Sequence, residues 1–287
     1  MLSQDEIDRY REEGYLHLRG VFHAAEVDEL REACTQASLR RELTERGYEE
    51  RIVFLHPLTT KHPAFKAVGA DARIVERIAA LLGPDIQLQQ SKLATKPPKA
   101  GKGAFHWHQD FAYFPHTNTD LLAVFVMLDD STLENGCLHV AAGSHKLGLL
   151  DHTKDGRFSG GVSDAARCVD PARVVALEGK AGDVTIHHAL TLHASFNNRS
   201  GRERRGLIYQ YRAADAYQLD GRVFDDSGWQ VRGCAPERIR CEAGTLPVYK
   251  RSYNGREFDI AWHQEGPAAK AWAGTEVRKL KPGAARA

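Results

Sequence analysis

The hydrophobic pattern divides the chain into two textures. Up to residue 84 the apolar positions recur at helical spacing. Ser3-Gln4-Asp5-Glu6 has the order of a capping box, in which Ser3 caps an amide three residues on and Glu6 reaches back; Gly14 suits the helix stop. Tyr15 to Leu18 then predicts a short strand. A second helix is expected from Ala24 to about Leu43, with Val27, Leu30 and Ala33 on one face. A third is expected over Ala72–Leu82, opened by Asp71 and stopped by Gly83-Pro84. From residue 86 the texture changes to short β-like runs: Ile86–Thr95, Leu121–Leu128, Cys137–Ala141, Arg173–Leu177, Val184–His188 and Arg205–Arg212. Between them stand Pro97-Pro98, Asn135-Gly136, Gly143-Ser144, Gly160-Gly161 and Gly182-Asp183, all turn signals. Many short strands so punctuated predict a sandwich or barrel rather than alternating β and α units. Residues 213–287 hold Trp229, Trp262 and Trp272 without clear periodicity, and the Ala/Lys/Gly/Pro-rich stretch from about Gly266 is expected to fray.

Charge and composition narrow the function classes. The 287 residues carry 39 basic and 38 acidic side chains, a net charge of +1. Interspersed signs without a basic excess argue against a nucleic-acid partner. The longest strongly apolar run, Leu121–Leu128, is far short of the ~20 residues of a membrane helix, so no membrane partner is expected. MLSQDEIDRY lacks an apolar secretion core and GAARA is not a peroxisomal tripeptide, so a cytoplasmic location is expected. Cys34, Cys137, Cys168, Cys234 and Cys241 are scattered with no CxxC pair, which fits reduced thiols better than a disulfide framework or thiolate zinc site.

The candidate chemistry centres on Phe105-His106-Trp107-His108-Gln109-Asp110. In a strand, residues two apart share a face, so His108 and Asp110 would present an imidazole and a carboxylate to one point. A third ligand must come from elsewhere, and the segment Asp183–His193 offers candidates. Two histidines and one carboxylate on one face of an octahedron leave three positions open, the pattern of a non-haem Fe(II) oxygenase. His106 and His108 also form a His-x-His pair that a cupin-like enzyme could use without 2-oxoglutarate, and a binding jelly roll without turnover is a further alternative.

Several motifs in order resemble the phytanoyl-CoA dioxygenase family of Fe(II)/2-oxoglutarate oxygenases. They are QSKLATKPPKAGKG (residues 90–103), HWHQDFAYFP (106–115), ENGCLHVAAGSHKLG (134–148), GDVTIHHALTLHASFNNRS (182–200) and RERRGLIYQY (202–211), with DEIDRYREEGYLHLRGVF near the start. The likeness covers about residues 5–215. It implies a mainly β fold with flanking helices, a double-stranded β-helix or jelly roll. One dioxygenase domain is expected, with a helical part over 1–84, the jelly-roll core over 85–215 and an extension over 216–287. It implies Fe(II) held by His108, Asp110 and His193, with 2-oxoglutarate and O2 as cosubstrates. It assigns the far carboxylate of 2-oxoglutarate to Arg204, eleven residues after His193, and brings Ser195 and Lys92 to the same pocket. An arginine suits that task because its planar fork pairs bidentately with a carboxylate. Arg205 would point to the opposite face. The implied reaction is hydroxylation of a small-molecule substrate by a monomer or homodimer.

Other conspicuous residues read as structural. Trp107 and Tyr113 fit a core, and Asn135-Gly136 a tight strand connection. Lys96, Lys99 and Lys102 fit a solvated loop; His17, His23, His56, His62, His116, His152 and His263 fit structural or surface positions. Loops around residues 53–65, 149–165 and 215–235 are expected to shape the substrate pocket.

Overall fold

The computed structural model describes residues 1–48, 53–98, 103–154, 157–219 and 224–246. Trp262, Trp272, His263 and the stretch from Gly266 lie outside these, as do Lys99 and Lys102.

Helix α1, Gln4–Glu13, begins and ends as its sequence dictates. Ser3 and Glu6 exchange both hydrogen bonds of the capping box, and Gly14 closes the helix in the left-handed region at φ 78°. Strand β1 follows at Tyr15–Leu18. The expected long second helix is two helices, α2 at Ala24–Ala33 and α3 at Ala37–Glu45. The chain breaks at Thr35, whose hydroxyl donates to the Glu32 carbonyl and turns the backbone out of the helical path. Val27, Leu30 and Ala33 share the buried face, as the spacing predicts. Strand β2 is Val53–Leu55; α4, Pro63–Gly69, is a short helix with proline in its first turn; α5, Ala72–Leu82, starts at an Asp71 cap and ends at Gly83.

The remaining strands are β3 Ile86–Lys96, β4 Phe105–His108, β5 Leu121–Met127, β6 Leu138–Ala141, β7 Thr153–Lys154, β8 Arg157–Phe158, β9 Val174–Leu177, β10 Val184–His188, β11 His193–Ser195, β12 Arg204–Ala213 and β13 Trp229–Arg232. A short helix, α6, spans Ala165–Cys168. Seven strands form one antiparallel sheet, ordered β1-β10-β5-β12-β3-β13 with β2 also on β3. A second sheet is ordered β4-β11-β6-β9, and β7 and β8 form a separate pair.

The larger sheet is covered on both sides, which explains why every residue of β5 is buried. Val124, Val126, Leu207, Tyr209 and Tyr211 face a core shared with Val27, Leu30, Phe65, Ile74 and Ile78 of the helices. The Tyr209 and Tyr211 hydroxyls donate to the carbonyls of Phe65 and Gly69, fastening α4 to the sheet. The alternate residues Ala123, Phe125, Ile208 and Gln210 face a cavity whose other wall comes from the smaller sheet. Asn135-Gly136 connects strands of different sheets rather than closing a two-residue hairpin; Asn135 accepts from the Thr132 amide and donates to the Asp130 carbonyl.

Two aromatic readings hold: Trp107 and Tyr113 sit in apolar clusters, and the Tyr113 hydroxyl donates to the Gly160 carbonyl. The five cysteines are unpaired. Among the described residues no helix is long and apolar enough to cross a membrane.

Candidate active site

The cavity between the sheets gathers His108, Asp110 and His193. One ligating atom from each lies within 4.8 Å of the others, and all three residues are buried. His108 ends β4 and His193 begins β11, where the two pair directly across the ladder. Asp110 is not on the strand, as simple alternation would have it. It opens a 3₁₀ turn, Asp110–Ala112, and its carboxylate reaches back, with Oδ1 4.0 Å from His108 Nε2 and 3.8 Å from His193 Nε2.

The backbone decides which imidazole nitrogen each histidine offers. His108 Nδ1 lies 2.7 Å from the His106 carbonyl, and His193 Nδ1 lies 2.9 Å from the Thr191 carbonyl. A carbonyl only accepts, so each Nδ1 carries the proton and each Nε2 presents a lone pair toward Asp110. That is the second contact a metal-ligating histidine commonly makes. Burial, and then the neighbouring His193, pushes His108 well below its ordinary pKa; burial and His187 lower His193 to about 4. Both are therefore neutral at pH 7. Burial alone would raise the Asp110 carboxyl, but His193, His187 and Lys92 outweigh it and hold the carboxyl well below its usual range.

His106 is not in the cluster and does not line the cavity. The reason is a register shift between β4 and β11: His193 pairs with His108 but Ser195 pairs with Phe105. This bulge puts Phe105 and His108 on the cavity side and turns His106 away. The His-x-His alternative thus loses its pair.

Gln109, between His108 and Asp110, points the other way. Its Nε2 donates to the carbonyls of Leu190 and Gly148 at 2.7 and 2.8 Å, and its Oε1 accepts from the Leu150 amide. It ties the His108–Asp110 turn to the approach to His193. Ser144 adds to this by accepting from the Leu192 amide. Neither role was visible in the sequence, because both depend on backbone groups far along the chain.

Arg204, Ser195 and Lys92 all line the same cavity. Arg204 is 4% exposed, donates to the Gly136 carbonyl at 2.6 Å and lies over the Phe125 ring; its Nε has no partner. Burial lowers its pKa to about 10, so it stays a cation. Arg205 takes the opposite face and forks onto Asp129 with two 2.9 Å bonds. Gly206 makes room for Phe125, since a Cβ there would stand 2.1 Å from the ring.

The lysine level with Arg204 is not Lys92 but Lys96, its direct partner across the β12–β3 ladder. Lys96 was read as part of a solvated loop; instead it is the buried last residue of β3, donates to the Phe196 carbonyl, and has its pKa pushed well down by burial and by Arg204. Arg204 and Lys96 thus stand side by side in the interior, where the guanidinium keeps its charge and the ammonium form of Lys96 is disfavoured. Lys92 lies four residues back along β3, opposite Ile208 and about 13 Å away along the strand. Burial lowers the Lys92 pKa, and Asp110 offsets this in part.

His187 is a further residue of the site. It lines the cavity beside the cluster, with Nε2 3.4 Å from Asp110 Oδ2 but without hydrogen-bond geometry. Of the ranges expected to shape the pocket, only Phe54 of β2 contributes among the described residues; the other walls are strand residues apart from Asp110.

Comparisons with known proteins agree with this geometry. A relative from Stutzerimonas stutzeri, named "Probable alpha-ketoglutarate-dependent hypophosphite dioxygenase", is 34% identical over 228 residues, 74% of this chain and 79% of that protein. The ectoine dioxygenase of Sphingopyxis alaskensis is 28% identical over 272 residues, 85% of this chain and 88% of that one. Among solved structures, the non-heme alpha ketoglutarate dependent carbocyclase SnoK from nogalamycin biosynthesis superposes with a TM-score of 0.65 at 25% identity, covering 80% of this chain and 95% of its own. The family model for phytanoyl-CoA dioxygenase matches residues 10–206, a span that contains both sheets' contributions to the cavity from Phe54 to Arg204. The chain therefore belongs to the phytanoyl-CoA dioxygenase family, the iron- and 2-oxoglutarate-dependent oxygenases that its motifs resemble.

Proposed function

We propose that this family member hydroxylates an aliphatic C–H bond of a small molecule, with Fe(II) held by His108, Asp110 and His193. The observation that carries the reading is the convergence of two neutral Nε2 lone pairs and one ionised carboxylate on a buried point of the cavity that Arg204 also lines. This donor set fits Fe(II), because it fills one face and leaves three positions for cosubstrate and oxygen. Iron, 2-oxoglutarate and O2 together supply the oxidising power: substrate C–H, 2-oxoglutarate and O2 become substrate C–OH, succinate and CO2.

The protein's own residues do the rest. Arg204 anchors the distal carboxylate of 2-oxoglutarate, its buried cationic guanidinium and unpartnered Nε favouring an anion there. Ser195, two residues past His193 on β11, offers a hydroxyl to the same molecule. Phe54, Phe105, Phe125 and Ile208 exclude water from the reacting space. The hypophosphite and ectoine in the relatives' names support a compact, polar substrate for this chain as well.

The test is anaerobic loading with Fe(II) and 2-oxoglutarate, exposure to oxygen, and assay for succinate. Wild-type protein is expected to form succinate, and His108→Ala and Arg204→Ala to lose it, the first with loss of iron and the second with weakened 2-oxoglutarate binding. Iron uptake with no 2-oxoglutarate association would sink the reading.

A further inference from the structure

The chemistry proposed above, on which this inference rests, leaves Lys92 without a task. Lys92 is 6% exposed. Its ammonium lies over the Phe54 ring, Nζ 5.3 Å from the centroid, and makes no hydrogen bond to any described residue. An ammonium has three protons to place, and leaving them unplaced in the interior is costly. Asp110 attracts it through space but forms no ion pair with it, and the Asp110 oxygens already face three imidazoles.

The next rungs of the same sheet face repeat the pattern. Gln90 and Gln210 are 1% and 2% exposed and bond to each other, which leaves Gln90 Oε1 and Gln210 Nε2 without partners. Gln210 pairs with Ala123, and Ala123 with His187, neither of whose ring nitrogens has a hydrogen bond. Lys92, Gln210 and His187 all line the cavity. Its Lys92 side thus sets an amine and hydrogen-bonding side chains in apolar walls, separated along the strand from the Arg204–Lys96 level.

We propose that this side of the cavity receives an oxyanion of the prime substrate, a carboxylate or a phosphorus oxyanion, with Lys92 as its counter-charge and the Gln210 amide as a neutral donor. The substrate then places its charged end by Lys92 and its reacting bond by the His108–Asp110–His193 cluster. Lys92 is a specificity residue, distinct from the cosubstrate anchor.

The test is calorimetric titration of hypophosphite, methylphosphonate and butyrate, with butyramide as the neutral control. Each is titrated into the metal-free protein and into the anaerobic Fe(II)- and 2-oxoglutarate-loaded protein. Lys92→Met is expected to weaken anion binding by at least about tenfold and Lys92→Arg to retain most of it, as removal and retention of a charge-assisted hydrogen bond require. Affinity for 2-oxoglutarate should be unchanged in both variants. The order among the three anions tells whether carboxylate or phosphorus oxyanion is preferred. Anion binding indifferent to Lys92, butyramide binding as well as butyrate, no anion binding by wild type, or lost 2-oxoglutarate affinity in Lys92→Met would each overturn the assignment. Lys92-dependent anion binding in a protein that takes up no 2-oxoglutarate would uphold this site and overturn the oxygenase reading instead.

Discussion

Among the described residues, His108, His116, His139, His152 and His193 turn Nδ1 onto the carbonyl two residues before them. The contact fixes ring orientation in each, so it does not separate the histidines of the cluster from the others. What separates them is the group that faces Nε2. At His108 and His193 it is the Asp110 carboxylate; at His152 it is the Gln109 amide N–H, 3.0 Å away. An amide proton needs a lone pair, so His152 must be neutral in the folded state. Burial accordingly lowers its pKa to about 4, from the ordinary 6.5. The unfolded chain takes up a proton below 6.5 that the folded chain refuses until about 4, so the stabilisation is complete above 6.5 and is lost as pH falls through that window. Over the whole window this amounts to about 3 kcal/mol. Urea denaturation at pH 7, 6 and 5 should show stability falling, and His152→Gln should flatten the slope by up to about 1.4 kcal/mol per pH unit. An unchanged slope would mean that His152 is not buried as described.

At the level of elements, β12 carries fold and site on opposite faces. Leu207, Tyr209 and Tyr211 hold the helices, while Arg204, Ile208 and Gln210 line the cavity. Gly206 sits among the latter because Phe125 occupies the space of its missing side chain. Gly206→Ala should cost about 1–3 kcal/mol of stability, as overpacking does. By displacing Phe125 from beneath Arg204 it should also weaken 2-oxoglutarate binding more than iron binding. Denaturant midpoints and separate titrations of metal and cosubstrate measure both; equal loss of the two ligands would place the damage elsewhere.

The strands and helices that could be read from the sequence are those whose burial leaves a periodic trace: the capped helices, and the runs of β5, β10 and β12. Those not legible lack one. The break at Thr35 is a single side-chain hydrogen bond, α4 is only seven residues long, and β2 and β13 are short strands on the flank of β3. At the site, the His-x-Asp spacing drew attention to His108 and Asp110, but nothing local told that a bulge would rotate His106 away. Strand register alone distinguished Lys96 from Lys92, and register is a property of two strands.

Across the whole molecule, the cavity is assembled from eight strands of two sheets, with helices packed behind the larger one. Almost every wall residue is therefore fixed by ladders rather than by loops, which suits a reaction that demands placement within fractions of an ångström. Arg204 illustrates the consequence. Its strand is paired through Arg204–Ala213 on one side and Gly206–Arg212 on the other. Releasing it requires both ladders to separate, and these belong to the same sheet as the helix-covered core. Partial opening of this enzyme on heating should thus spare Arg204. Monitored together on a temperature ramp, 2-oxoglutarate binding and far-UV ellipticity should decline at one midpoint. The β12 amides should exchange with deuterium only through global unfolding, the slowest class in the chain. Binding lost well before ellipticity would show a separately melting site. For this architecture, inactivation by heat and denaturation are expected to be a single event.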